Sequence, residues 1–196
     1  MIFVTPSSGN VVAVTFRFHG GRPSVNLTAT VGERWRDGGF ERLTEPAALA
    51  RWFTGAGLAG RAPHCSPADL RHARELREAI YRLMLARMGR CRPAPDDVAT
   101  VNAWAAKPPP AVELRPEAGG LRAEPAWVTA PALLAQLARD AVEVIGGDAG
   151  QRLRECDNPR CSLLFVDTSR AGARRWCTMS ACGTRDKMAR YRSAGT

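Results

Sequence analysis

Between Ser66 and Gly89 the apolar residues fall at Leu70, Ala73, Leu76, Ile80, Leu83, Met84 and Met88. These steps, mostly three and four, put them on one side of an α-helix. Ser66 is a capping residue, Pro67 fits the first turn, and Asp69 suits the positive end of the helix dipole. Arg71, Arg74, Arg77 and Arg82, interleaved with Glu75 and Glu78, read as the solvated outer face. A second amphipathic helix is predicted over Ala132–Ile145, built on Leu133, Leu134, Leu137, Ala141, Val144 and Ile145. A short helix over Glu45–Phe53 has proline at an early position and ends at Gly55, Gly57 and Gly60. A further helix over Asp96–Ala106 is broken by Pro108-Pro109-Pro110.

The period-2 and β-branched stretches are shorter. Val11–Phe18 reads as a strand closed by Gly20-Gly21, and Ser24–Val31 as a second strand or the opening of a helix. Val112–Arg115 and Leu121–Glu124 around Gly119-Gly120 predict a hairpin, with Trp127-Val128 as its extension. Gly146–Gly150 reads as a linker. The expected architecture is a mixed α/β (α+β) domain over residues 1–149 and a small module over 150–196. In that module Leu153–Cys156 is a short strand or turn and Ser162–Asp167 a strand. Arg185–Ser193 is a final helix, capped by Thr184, with Met188 and Tyr191 turned inward.

Charge sharpens this division. The net charge of +9 is unevenly spread. Residues 150–196 hold ten Arg/Lys against four Asp/Glu, a net +6, and residues 1–149 hold eighteen against fifteen, a net +3. A concentrated positive charge points to a polyanion such as nucleic acid. No apolar run approaches the ~20 residues of a membrane-spanning helix. The start, Met1-Ile2-Phe3-Val4-Thr5-Pro6, lacks a basic segment followed by an apolar one, so no secretory leader and a cytoplasmic location are expected.

In that reducing setting, close cysteine pairs hold metal more often than they form disulfides. Cys156-Asp-Asn-Pro-Arg-Cys161 and Cys177-Thr-Met-Ser-Ala-Cys182 are two such pairs, fifteen residues apart. Each pair supplies one edge of a tetrahedron, which favours a structural zinc site with all four positions filled by protein. Iron held by four thiolates, an iron–sulfur cluster and disulfides are the other chemistries open to such a set. A filled site leaves no position for water, which disfavours catalytic zinc. Nor is there the His-x-Glu with Pro-Cys-x-x-Cys of nucleobase deaminases or the Cys-x-x-Cys of thiol oxidoreductases. Leu163, Phe165 and Trp176 are the module's candidate core. Cys65 and Cys91 stand apart as inert thiols, and His19, His64 and His72 show no ligand spacing.

From Leu153 to Arg192 the chain resembles the CGNR zinc finger. The matching features are Cys156-x4-Cys161, Phe165-Val166-Asp167, Ser169-Arg170, Arg174-Arg175-Trp176-Cys177, Met179, Cys182-Gly183-x-Arg185 and Lys187. The family's name-giving asparagine is replaced by Thr184, which can still accept or donate a hydrogen bond but cannot make a bidentate base contact. Upstream, Phe18-His19-Gly20-Gly21, Val25–Thr30 and Leu43–Trp52 resemble the ABATE domain that precedes such fingers. The family is described as stress-induced transcription regulators. The resemblance implies zinc held by Cys156, Cys161, Cys177 and Cys182 and a DNA-binding regulator of bacterial type. From the layout, Asn26 and Arg51 are candidates to line a pocket for a small-molecule effector.

Arg170, Arg174, Arg175, Arg185, Lys187, Arg190 and Arg192 are the candidate phosphate contacts. A homodimer would present two such modules to one duplex. A protein-interaction adaptor with a purely structural zinc module is the competing reading. A small-molecule-binding protein acting through the N-terminal part is another. No nucleophile, base and orienting group come together in sequence, so no enzyme is expected.

Overall fold

The computed structural model describes residues 15–34, 39–125 and 127–193, with side chains through 189. The mixed helical and short-strand architecture is the expected one. In order, the elements are α1 (Pro23–Thr28), β1 (Val31–Gly32), β2 (Phe40–Glu41), α2 (Pro46–Gly55), α3 (Pro67–Arg87) and α4 (Pro95–Ala105). Then follow β3 (Val112–Glu117), β4 (Gly120–Pro125), α5 (Ala130–Gly146), a 3₁₀ turn (Asp148–Arg152), β5 (Leu153–Glu155), β6 (Leu164–Val166), a π turn (Met179–Gly183) and α6 (Thr184–Ser193). The strands pair as three separate antiparallel ribbons, β1–β2, β3–β4 and β5–β6.

Local chemistry explains the helix starts. Proline occupies the first or second position of α1 to α5, where its missing N–H costs nothing. Ser66 and Asp69 form a reciprocal capping box at α3, Ser66 N–H donating to Asp69 Oδ2 at 2.8 Å and Asp69 N–H to Ser66 Oγ at 3.2 Å. The segment left open between strand and helix is α1. Its first turn is capped from a distance: Ser24 N–H donates to Asp140 Oδ2 at 2.8 Å, and Arg22 pairs with Asp140 and Glu143 of α5.

The main core lies between α3 and α5, joined by Trp52 and Phe53 of α2. Of the arginines read as a solvated face of α3, Arg71 and Arg82 are exposed, but Arg77 and Arg74 turn into the structure. Arg77 is buried and pairs with Glu41 at 2.7 Å and Glu78 at 2.8 Å. Arg74 donates to Leu43 O, and Arg82 grips Asp97 at 2.6 Å. Apart from Glu78, these partners lie on β2, the following loop and α4, too far along the chain for helical spacing to reveal them. Arg51 pairs with Glu45 at the surface, and Asn26 Oδ1 accepts from Gly20 N–H.

The hairpin β3–β4 forms as predicted, without Trp127 and Val128. One face is apolar, pairing Val112 with Pro125, Leu114 with Ala123 and Pro116 with Leu121. The other carries like charges directly opposed, Glu113 against Glu124 and Arg115 against Arg122, and ion pairs along each strand and one diagonal pair, Arg115–Glu124, resolve the conflict. Of the predicted strand Val11–Phe18, residues 11–14 lie outside the described part, and Thr15–Phe18 belongs to no strand.

Gly146–Gly150 is not an open tether. Asp148–Arg152 winds into the 3₁₀ turn, and Gly150 is buried against α3 and α5. The chain then enters β5, which pairs Leu153 with Val166, Arg154 with Phe165 and Glu155 with Leu164. Side chains alternate across a strand. Leu164 and Val166 therefore enter the main core, while Leu163 and Phe165 enter a second, smaller core with Ala29 and the four cysteines.

Candidate metal centre and basic surface

Both cysteine loops are shaped by backbone hydrogen bonds. Cys156 leaves β5 with its N–H donating to Leu163 O at 3.0 Å. The buried Asn158 then turns the chain: its carbonyl accepts from Cys161 N–H at 2.8 Å and its Oδ1 from Arg160 N–H at 3.0 Å. On the second loop Thr178 Oγ1 accepts from Ala181 N–H at 3.2 Å, and Thr178 O from Gly183 N–H at 3.0 Å. The cap is thus Thr178, not Thr184. The π turn runs straight into α6, and Thr184 Oγ1 donates back to Met179 O at 3.1 Å. A hydroxyl makes that bond without a carboxamide.

The four thiols converge, all buried, with every pair of sulfurs within 4.8 Å. Sγ–Sγ distances are 3.8 Å for Cys161–Cys177 and 3.6 Å for Cys177–Cys182. A disulfide needs about 2.05 Å. A tetrahedron with metal–sulfur bonds of about 2.3 Å has edges of about 3.8 Å, so the spacing fits a four-thiolate metal centre. Cys177 N–H also donates to Cys156 Sγ at 3.4 Å. Hydrogen bonds from Cys161 and Cys177 hold the Cys156 thiol strongly down. The same bonds, seen from the donors, push Cys161 up to about 12 and Cys177 up as well. Cys156 is therefore the easy thiolate, while Cys161 and Cys177 need a cation to ionise.

Around the centre, two arginines brace the loops. Arg174 Nε donates to Trp176 O at 2.9 Å, its Nη2 donates to Cys177 O, and its guanidinium lies 4.4 Å from the Phe165 ring centre. Arg175 pairs with Asp157 at 2.7 Å, and its carbonyl accepts from Asp157 N–H. Asp167 is fully buried and accepts from the backbone N–H groups of Ser169 and Arg174, each at 2.9 Å. Hydrogen bonding, first from Ser169, pulls its carboxyl down to about 2. Sequence reading quoted Asp167 only as part of a motif. Its place after a buried β-strand and before a small-residue loop is the signal that it closes that loop.

The remaining basic candidates divide by exposure. Arg170, Arg185 and Lys187 are exposed on the module. The side chains of Arg190, Tyr191 and Arg192 lie outside the described part. Met188, expected to turn inward, is exposed. The module's core is otherwise as expected, Leu163 and Phe165 buried with Trp176 packed against them. Among the described residues no helix is long and apolar enough to cross a membrane, and the four cysteines are the metal-binding cluster found.

A family model, ABATE, described as "Putative stress-induced transcription regulator", matches residues 21–148. A second, the CGNR zinc finger, matches residues 152–194. No curated protein matches the chain.

Proposed function

The chain belongs to the ABATE family and ends in a CGNR zinc finger, and from that premise we propose a zinc-binding, DNA-binding transcription regulator. Zinc is the ion that a closed four-thiolate tetrahedron and this finger favour. Its role is structural: it stabilises thiolates in a buried cluster and so fixes both loops. The observation that carries the DNA reading is the position of Arg170, Arg185 and Lys187. They are exposed on loops and a helix start that the metal site and its braces hold in place. Fixed cations at a rigid surface meet phosphates at little ordering cost.

Arg190 and Arg192, later in the sequence of α6, are further candidate phosphate contacts in this reading, while Arg174 and Arg175 act as braces of the loops. The function needs no catalytic group. A cytoplasmic setting keeps the thiols reduced, and a homodimer would add affinity by linkage. Stress-linked control of transcription follows the family description.

The test is duplex DNA of mixed sequence, titrated with the metal-loaded protein over a salt series. Affinity should fall log-linearly with salt, with a slope of about −0.9 per phosphate engaged. An Arg185→Glu/Lys187→Glu variant that keeps its metal should lose most of that binding. Absence of binding at low salt in the metal-loaded protein would sink the reading and favour an adaptor role.

A further inference from the structure

Four arginines from distant parts of the chain line one small cavity between the N-terminal part and the metal module. Arg17 precedes the Gly20-Gly21 turn, Arg42 follows β2, Arg160 lies in the first cysteine loop and Arg185 opens α6. The cavity holds about 130 Å³, and Gly32 and Glu33 contribute to its wall. That is room for a few waters or one small oxyanion. Among the lining residues the four arginines outnumber the anionic groups, which are the Glu33 carboxylate and the Cys161 sulfur of the metal centre.

Arg42 is the unusual member. It is only 8% exposed. Among the described residues no carboxylate forms an ion pair with it. Its guanidinium donates to Ala29 O at 3.4 Å and sits 5.0 Å from the Phe40 ring centre. Glu33 and Glu41 act on it from a distance without a direct ion pair, and a buried charge so weakly compensated is costly. Burial, followed by the Arg17 charge, depresses its pKa.

The surroundings are shaped to keep Arg42 there. A Cβ on Gly32 would collide with both terminal nitrogens of Arg42, Nη2 at 2.8 Å. Glu33 adopts φ 52°, a left-handed conformation that a non-glycine residue holds only when its surroundings enforce it. Arg34 N–H donates to Ser162 Oγ at 3.1 Å, which pins this strained segment to the first cysteine loop.

We propose that this cavity seats a phosphate-type oxyanion, gripped by Arg17 and Arg42 on one side and Arg160 and Arg185 on the other. Guanidinium forks match such oxygens in pairs. An anion there joins the N-terminal part to the metal module, so its occupancy reports on, and stiffens, the seam between them. The phosphate can come from a free small molecule or from a DNA backbone. Only the second source rests on the DNA-binding reading above.

Thermal unfolding and calorimetric titration of the metal-loaded full chain with inorganic phosphate, against chloride at matched ionic strength, test the seat. The comparison is Arg17→Gln/Arg160→Gln, which alters no metal ligand and leaves the buried Arg42 in place. Saturable phosphate binding that the variant loses at least tenfold, with its phosphate-free Tm unchanged, supports a free-anion seat, whatever DNA does. No saturable phosphate binding, but a DNA salt slope smaller by about 1 in the variant, supports a backbone phosphate in the same seat. Equal phosphate binding by both proteins, or no phosphate binding together with an unchanged DNA slope, overturns the proposal.

Discussion

Val166 N–H donates to Gly20 O at 2.9 Å, so the second strand of the metal module's ribbon, β6, is hydrogen-bonded to the Gly20-Gly21 turn of the N-terminal part. Val166 is also in the main core, and its neighbour Phe165 is in the metal core. One strand is shared by both.

Metal removal is therefore expected to weaken the whole chain. A metal at ~1,000 times its Kd contributes ~4 kcal/mol, and losing that shifts Tm by about 8–16 °C in a chain of this size. Unfolding followed through Trp52 and Trp104, both far from the cysteines in sequence, should move with the chelator by that amount. An unchanged tryptophan transition would mean the two parts fold independently. Loading should also release protons and tighten as pH rises from 6 to 8, because Cys161 and Cys177 resist ionisation without the cation.

Asp167→Asn should destabilise the metal module by about 1.5–3 kcal/mol, since a neutral amide replaces a carboxylate that accepts two backbone N–H groups. The folded carboxyl titrates near 2, below the ~3.9 of an unfolded aspartate. Its contribution is thus present above ~4 and fades as pH falls toward 2. In chelator-treated protein the Tm gap between wild type and Asp167→Asn should be flat from pH 5 to 8 and shrink below pH 4. A gap that widens in acid would reverse the assigned sign.

How far the sequence revealed this molecule depended on how local each device is. Ser66, Pro67 and Asp69 lie within four residues, and the helix start they make was readable, though the reciprocal Ser66–Asp69 bonds came with the structure. The cysteine pairs declared a metal centre because chelation constrains their spacing. Arg77 was misread because its partner Glu41 is thirty-six positions away, and the charges interleaved around it imitate a solvated face. The cavity at Arg17, Arg42, Arg160 and Arg185 had no signal, since nothing along the chain links those positions.

Arg77→Met separates the buried clamp from a surface role. Removing one partner of a buried pair costs ~3–5 kcal/mol, and the partly exposed Glu41 and Glu78 place this case toward the lower end. Arg71→Met, one face over and exposed, should change stability by less than ~0.5 kcal/mol. Urea unfolding of the two variants gives the comparison, and equal midpoints would return Arg77 to the surface.

The stretch Gly146–Gly150 offers the sharpest contrast between composition and packing. A Cβ on Gly150 would lie 2.6 Å from Arg87 Nε, 2.7 Å from Val144 O and 3.1 Å from Ile145 O. Two of those atoms are backbone and cannot swing away. Gly150→Ala should therefore cost about 1–3 kcal/mol. Gly146 closes α5, and a Cβ there meets nothing within 4 Å. Gly146→Ala should be neutral or stabilise by up to ~1 kcal/mol, because alanine is the better helix former and narrows the unfolded ensemble. A flexible tether would tolerate both changes alike. Opposite shifts in the urea midpoint at two glycines four residues apart would instead mark a packed corner, through which strain in the metal module reaches α3 and α5.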